Sequence, residues 1–163
     1  MKKILFLLAP LFYLNAQVDL DYYLGDTSNY NQSIPTPESI IGHQIGELHV
    51  SHDKLSHYVQ EVSKHSDRVK LVNRGKTYEN RASWLLIITS ESNQLRLEEI
   101  RKNHLELSNS KNRSIDLTNM PVVVYKGYTV HGDEPSGTNA SLLLLYHLLA
   151  SDSEETEDLL QNT

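Results

Sequence analysis

The sequence contains no cysteine, which excludes a disulfide framework and any thiolate metal site. A bound metal would have to be held by His, Asp or Glu, so the eight histidines become the residues to sort. Positive charge is scarce. Fifteen Lys and Arg against 21 Asp and Glu give a formal net charge of −6, and no basic stripe is available to meet phosphates. That balance argues against a nucleic-acid partner. Apolar runs long enough to span a membrane are also missing. The N-terminal run at 4–14 is interrupted by Pro10 and falls short of the about 20 apolar residues that a spanning helix needs. There is no internal repeat and no low-complexity tract. What remains is ordinary globular composition, 39% hydrophobic and 22% charged, in a chain long enough to bury a core.

The first residues read as an address. Lys2 and Lys3 precede the apolar run, and Asn15-Ala16-Gln17 follows it. That is the layout of a secretory signal peptide at 1–16, cleaved after Ala16. The mature chain is therefore expected to be secreted or periplasmic, with no stable membrane span after cleavage. Residues 17–46 read as an N-terminal extension lying over the domain that follows, with Tyr22, Tyr23 and Tyr30 packing against it. The prolines of Ile34-Pro35-Thr36-Pro37 argue against a regular element there.

From 47 onward, periodic segments alternate. Ser51 can cap a helix running to about Ser66, with Leu55, Tyr58, Val59 and Val62 on one face. Residues 69–72 alternate as a strand, 75–81 form a polar turn and 84–89 a second, more apolar strand. A helix over 95–107, a polar loop over 109–119 and a third strand opening at Pro121-Val122-Val123-Val124-Tyr125 follow. Residues 138–150 predict a helix apolar almost all round, hence buried, against a sheet. Residues 151–158 read as an acidic, solvated stretch. Alternating strands and helices imply an α/β fold, a mixed sheet flanked by helices.

The stretch that carries chemistry is His131-Gly132-Asp133-Glu134-Pro135-Ser136-Gly137. It lies between the expected third strand and the apolar helix, where open α/β sheets place ligands. His131 and Glu134 are three residues apart on a loop, so both side chains can reach one ion. Imidazole nitrogen and carboxylate oxygen both suit zinc, and two His with one Glu form a known catalytic zinc set. The plain alternative is a loop histidine hydrogen-bonded to its neighbouring carboxylate. The other histidines offer less. His49, His52 and His57, with Asp53, cluster around a helix start and read as a solvated surface. His147 lies in the apolar helix and reads as a core histidine with a hydrogen-bond partner. His43, His65 and His104 stand alone. The acidic residues at 152–158 lack the spacing of a calcium loop.

The arrangement resembles the first zinc-ligand motif of the zinc metallocarboxypeptidase family. In that family a His and a Glu separated by two residues follow a sheet strand. Upstream, Gly75-Lys76-Thr77-Tyr78-Glu79-Asn80-Arg81 is similar to the family's Gly-Lys-Ser-x-Glu-Gly-Arg turn, with Asn80 at a glycine position that asparagine can fill in left-handed geometry. The resemblance covers 47–163 in order and spacing. It implies the N-terminal part of a catalytic domain, with His131 and Glu134 as the first and second ligands of Zn²⁺. The substrate would be a peptide or protein, hydrolysed at or near its C-terminus by a metal-activated water. The position before Glu134, Arg in the animal digestive enzymes, is Asp133 here. The third ligand, the substrate-binding arginines, the active-site tyrosine and the general-base Glu are expected beyond residue 163, so the chain reads as an inactive fragment. Two other readings stand beside this one: a zinc amidohydrolase of the aspartoacylase and succinylglutamate desuccinylase kind, and a non-catalytic exported binding module.

Overall fold

The computed structural model describes residues 19–109 and 116–163. The expected signal peptide at 1–16 and most of the polar loop, 110–115, lie outside the described residues. In chain order the elements are α1 (Leu20–Leu24), α2 (Pro37–Ile41), α3 (His52–Val62), β1 (Val69–Lys76), β2 (Ala82–Ile88), α4 (Glu91–Gln94), α5 (Leu97–Leu107), α6 (Pro135–Ala150) and α7 (Glu154–Asn162).

The segment before α3 is more regular than its prolines suggest. Thr36 caps α2 by accepting from the Ser39 amide, and Pro37 occupies the first helical position. There its missing N–H costs nothing and its fixed φ suits the helix. The proline pair therefore starts a helix instead of forbidding one. Gly42, in left-handed conformation, closes it. Tyr30, Ile34, Ile41 and Ile45 are buried in the main core, while Tyr22 and Tyr23, expected to pack, stay exposed.

Helix α3 follows the apolar spacing, burying Tyr58, Val59 and Val62. It ends at Val62, earlier than Ser66, because the chain tightens into three-residue turns: the Lys64 amide donates to Glu61 O at 3.0 Å and the His65 amide to Val62 O at 3.1 Å. β1 and β2 form an antiparallel hairpin in which Val69 faces Ile88 and Asn73 faces Trp84. The register shifts between Asn73 and Lys76, where Gly75 takes a φ of 105°. β1 thus runs on through Lys76 and shortens the expected turn. Asn80 sits at φ 62°, the left-handed geometry anticipated for it. The helix expected over 95–107 forms as α5 from Leu97, and a separate short helix, α4, precedes it. Ser90 caps α4, the chain breaks at Arg96, and α5 buries Ile100. Leu95 at the break is 91% exposed.

The third strand does not form. Val122, Val123, Val124 and Tyr125 are all at least 59% exposed, and β1 and β2 pair only with each other among the described residues. A β-branched run prefers a strand only where a ladder and a packing surface await it. Here the run is tied only at its start, by the Val122 amide donating to Asn162 O at 2.8 Å and by His104 Nε2 donating to Pro121 O at 2.8 Å, among the described residues. The expected mixed sheet is therefore a two-stranded antiparallel one, within a mixed α and β architecture.

α6 is the centre of the molecule. Leu142, Leu145, Tyr146 and Leu149 are buried in one cluster with Tyr58, Val59 and Val62 of α3 and with Ile41 of α2. Leu71, Trp84, Leu86 and Ile88 of the hairpin are only partly buried against that cluster. The helix thus meets other helices more than a sheet. After it, Tyr30 bridges to Ser151, and the acidic stretch becomes α7, capped by Ser153 and anchored by buried Thr156 and Leu160. Among the described residues no helix is long and apolar enough to cross a membrane.

Candidate metal centre

The loop at 130–134 leads into α6, and Glu134 holds the position just before the helix, its side chain making no capping hydrogen bond. A carboxylate there is favoured by the positive end of the helix dipole. His131 and Glu134 come together. His131 Nδ1 lies 3.1 Å from Glu134 Oε1, with side chains 68% and 63% exposed. The loop backbone closes over the same residues, the Glu134 amide donating to His131 O at 3.2 Å. Asp133 points to solvent beside them.

Zinc–donor bonds of about 2.0–2.2 Å at a tetrahedral angle hold two donor atoms about 3.3–3.6 Å apart. The observed 3.1 Å separation is close to that value, so an imidazole and a carboxylate are already convergent. Both are exposed, and an ion can reach them from solvent. Among the described residues, no group of three or more His, Cys, Asp and Glu is arranged to hold a metal. The pair fits as two members of a ligand set.

Two residues on either side of this pair were not anticipated. Thr129 has a φ of 57°, which is unusual for a β-branched residue, and its hydroxyl shares a hydrogen bond of 2.8 Å with that of Thr138. Nothing in the local sequence signals this, since threonine is among the residues that least favour left-handed geometry.

Several of the rival histidines are bonded elsewhere. His52 Nε2 donates to Ala82 O at 3.0 Å, which ties α3 to the hairpin, while His49 and His57 are exposed. His147 Nδ1 is hydrogen-bonded to the Tyr30 hydroxyl, the partner expected for a core histidine. His65 Nδ1 donates to Glu61 O at 2.9 Å and His104 Nε2 to Pro121 O at 2.8 Å. Asp152 and Glu157 of the acidic stretch pair with Arg68.

The family model for zinc carboxypeptidases matches residues 55–163, a span that runs from within α3 through the hairpin and the His131–Glu134 loop to the last residue described. No curated protein and no solved structure gives a match to the chain.

Proposed function

The chain belongs to the zinc carboxypeptidase family, and from that premise we propose that His131 and Glu134 are two of the protein ligands of a catalytic zinc ion. The observation that carries this reading is the 3.1 Å approach of His131 Nδ1 to Glu134 Oε1 inside the matched segment. The family resemblance puts the third ligand, a His, and the general-base Glu beyond residue 163. Bound zinc supplies Lewis-acid activation of a water and of the scissile carbonyl. To serve as a ligand through Nδ1, His131 would present the neutral ring with its proton on Nε2, and its contact with Glu134 would give way to bonds from both side chains to the ion. Glu134 contributes the negative charge that offsets part of the ion's own. The exposure of both side chains leaves the loop open to a peptide terminus.

The substrate is a peptide or protein cut at or near its C-terminus outside the cytoplasm, following a signal peptide at 1–16, an extension at 17–46 and the catalytic region from 47. Among the described residues two ligands without a base complete neither the metal site nor the proton transfer, so these residues by themselves do not turn over peptides.

Titrating zinc into the full chain against a chromophoric chelator tests the assignment. His131→Ala and Glu134→Gln should each weaken binding by about 10-fold or more, as expected for loss of a direct ligand when even outer-shell changes cost that much. Equal zinc affinity in the wild type and in His131→Ala would remove the assignment. Zinc-dependent release of a C-terminal residue by the chain alone would remove the claim that it is inactive.

A further inference from the structure

We infer that Thr129, Gly137 and Thr138 form a clasp that sets the separation of His131 and Glu134, an inference that rests on the zinc reading for its purpose but not for its geometry. The two ligand side chains are 68% and 63% exposed, so little packing of their own holds them together. Their convergence must come from the backbone between them and from what fixes its ends. One end is α6, which starts at Pro135. The other is Thr129, held at φ 57°, where a β-branched side chain is strained. Such a conformation persists only when its surroundings over-determine it.

Those surroundings are the first turn of α6. The Thr129 hydroxyl bonds that of Thr138 at 2.8 Å, and Thr138 is buried, with 8% of its surface exposed. Gly137 makes the approach possible. A Cβ on Gly137 would lie 2.8 Å from Thr129 N, 3.0 Å from its Oγ1 and 3.2 Å from its Cα, and the first of these is a backbone atom that cannot swing aside. The backbone of Thr129 therefore rests on the bare face of Gly137. Only residues 130–134 lie between the clasp and the helix start, so a shift of Thr129 is transmitted directly to His131. All three are positioning residues: none contributes a donor to the pair.

Three variants of the full chain separate this role from general stability: Thr138→Val, which removes the hydroxyl at constant shape, Thr138→Ser, which keeps it, and Gly137→Ala. The first readout needs no metal: amide hydrogen exchange at Glu134, whose N–H is bonded to His131 O, measured by NMR. Thr138→Val and Gly137→Ala should accelerate exchange at Glu134 while the amides of Leu142, Leu145 and Leu149 keep their protection. Zinc affinity should fall by about 10- to 100-fold, the range for residues that orient metal ligands, and Thr138→Ser should restore both. Wild-type exchange at Glu134 in a folded Thr138→Val would overturn the clasp, and this variant decides alone if Gly137→Ala does not fold. Zinc binding that is insensitive to His131→Ala removes the metal reading instead and leaves the exchange result to decide the clasp.

Discussion

Replacing Arg68 by Met should be the costliest single polar change in this fold. The Arg68 side chain is 11% exposed and sits where three elements meet. Its Nη1 donates to Ser151 O at 2.8 Å, at the C-terminal cap of α6. Its Nη2 reaches Asp152 Oδ1 at 3.3 Å and also Glu157 of α7. The side chains of Asp152 and Glu157 are 55% and 51% exposed. On loss of Arg68 the two carboxylates rehydrate, and each ion pair is worth about 0–1 kcal/mol, as for surface pairs. The Ser151 carbonyl cannot do so, since Ser151 is buried. Hydrogen bonds to charged groups contribute about 1.5–3 kcal/mol, and a cation at a helix C-terminus adds about 0.3–1 kcal/mol. Methionine retains the apolar stem, so packing loss is small. The sum is about 2–6 kcal/mol, carried mostly by the carbonyl contact. Urea unfolding followed by Trp84 fluorescence and helical circular dichroism measures it. Asp152→Asn and Glu157→Gln should each cost under about 1 kcal/mol. An Arg68→Met variant that loses no more than either acid variant would refute the reasoning, because the carbonyl would then have found another donor.

The remaining expectations concern the core. Tyr58 is fully buried and its hydroxyl donates to Pro35 O at 3.3 Å. Burial pushes its phenol far above the ordinary tyrosine range, and Tyr30 and Tyr146 are raised for the same reason. The unfolded chain loses these protons near pH ~10 while the folded chain keeps them, so the unfolded state binds fewer protons and stability falls as pH rises above about 10. Urea midpoints between about pH 9 and 11 should drop in the wild type. In Tyr58→Phe they should drop less steeply, from a starting point about 1 kcal/mol lower; equal slopes would contradict the assignment. Leu142→Ala, at a fully buried position of α6, should cost about 2–5 kcal/mol. Val123→Ala, 69% exposed, should stay within about 0.5 kcal/mol in the same denaturation assay. A large Val123 effect would mean that 121–125 is packed after all.

Much of the local structure was readable along the chain. The spacing of Leu55, Tyr58, Val59 and Val62 marked α3, and three of these four are buried. The leucines of α6 announced a buried helix, and the two runs around the polar turn formed the hairpin. Asn80 took the left-handed angle that its side chain allows. The misreadings have different causes. Val122, Val123 and Val124 carry strand preference, but a strand exists only with a neighbour to bond. α7 was hidden because its four acids, Glu154, Glu155, Glu157 and Asp158, dominate the pattern, and only Thr156 and Leu160, four residues apart, face inward. Pro37 starts a helix because Thr36 caps it, a pairing that the proline alone does not reveal.

Composition and spacing alone determined the donor chemistry. Without cysteine, a metal has only imidazole and carboxylate to meet, and three-residue spacing allows His131 and Glu134 to share an ion. They also determined which helix is buried, because side-chain hydrophobicity is a property of the residue and its period. The tertiary structure decided what meets what: helices instead of a sheet around α6, Arg68 on the carbonyl of Ser151, and Thr129 pressed against Gly137. Local preference acts over a few residues. Contacts such as Arg68 with Ser151 form only when distant segments are brought together against the entropy of closing the loop between them, and the packing that compensates for that entropy is not written in either segment alone.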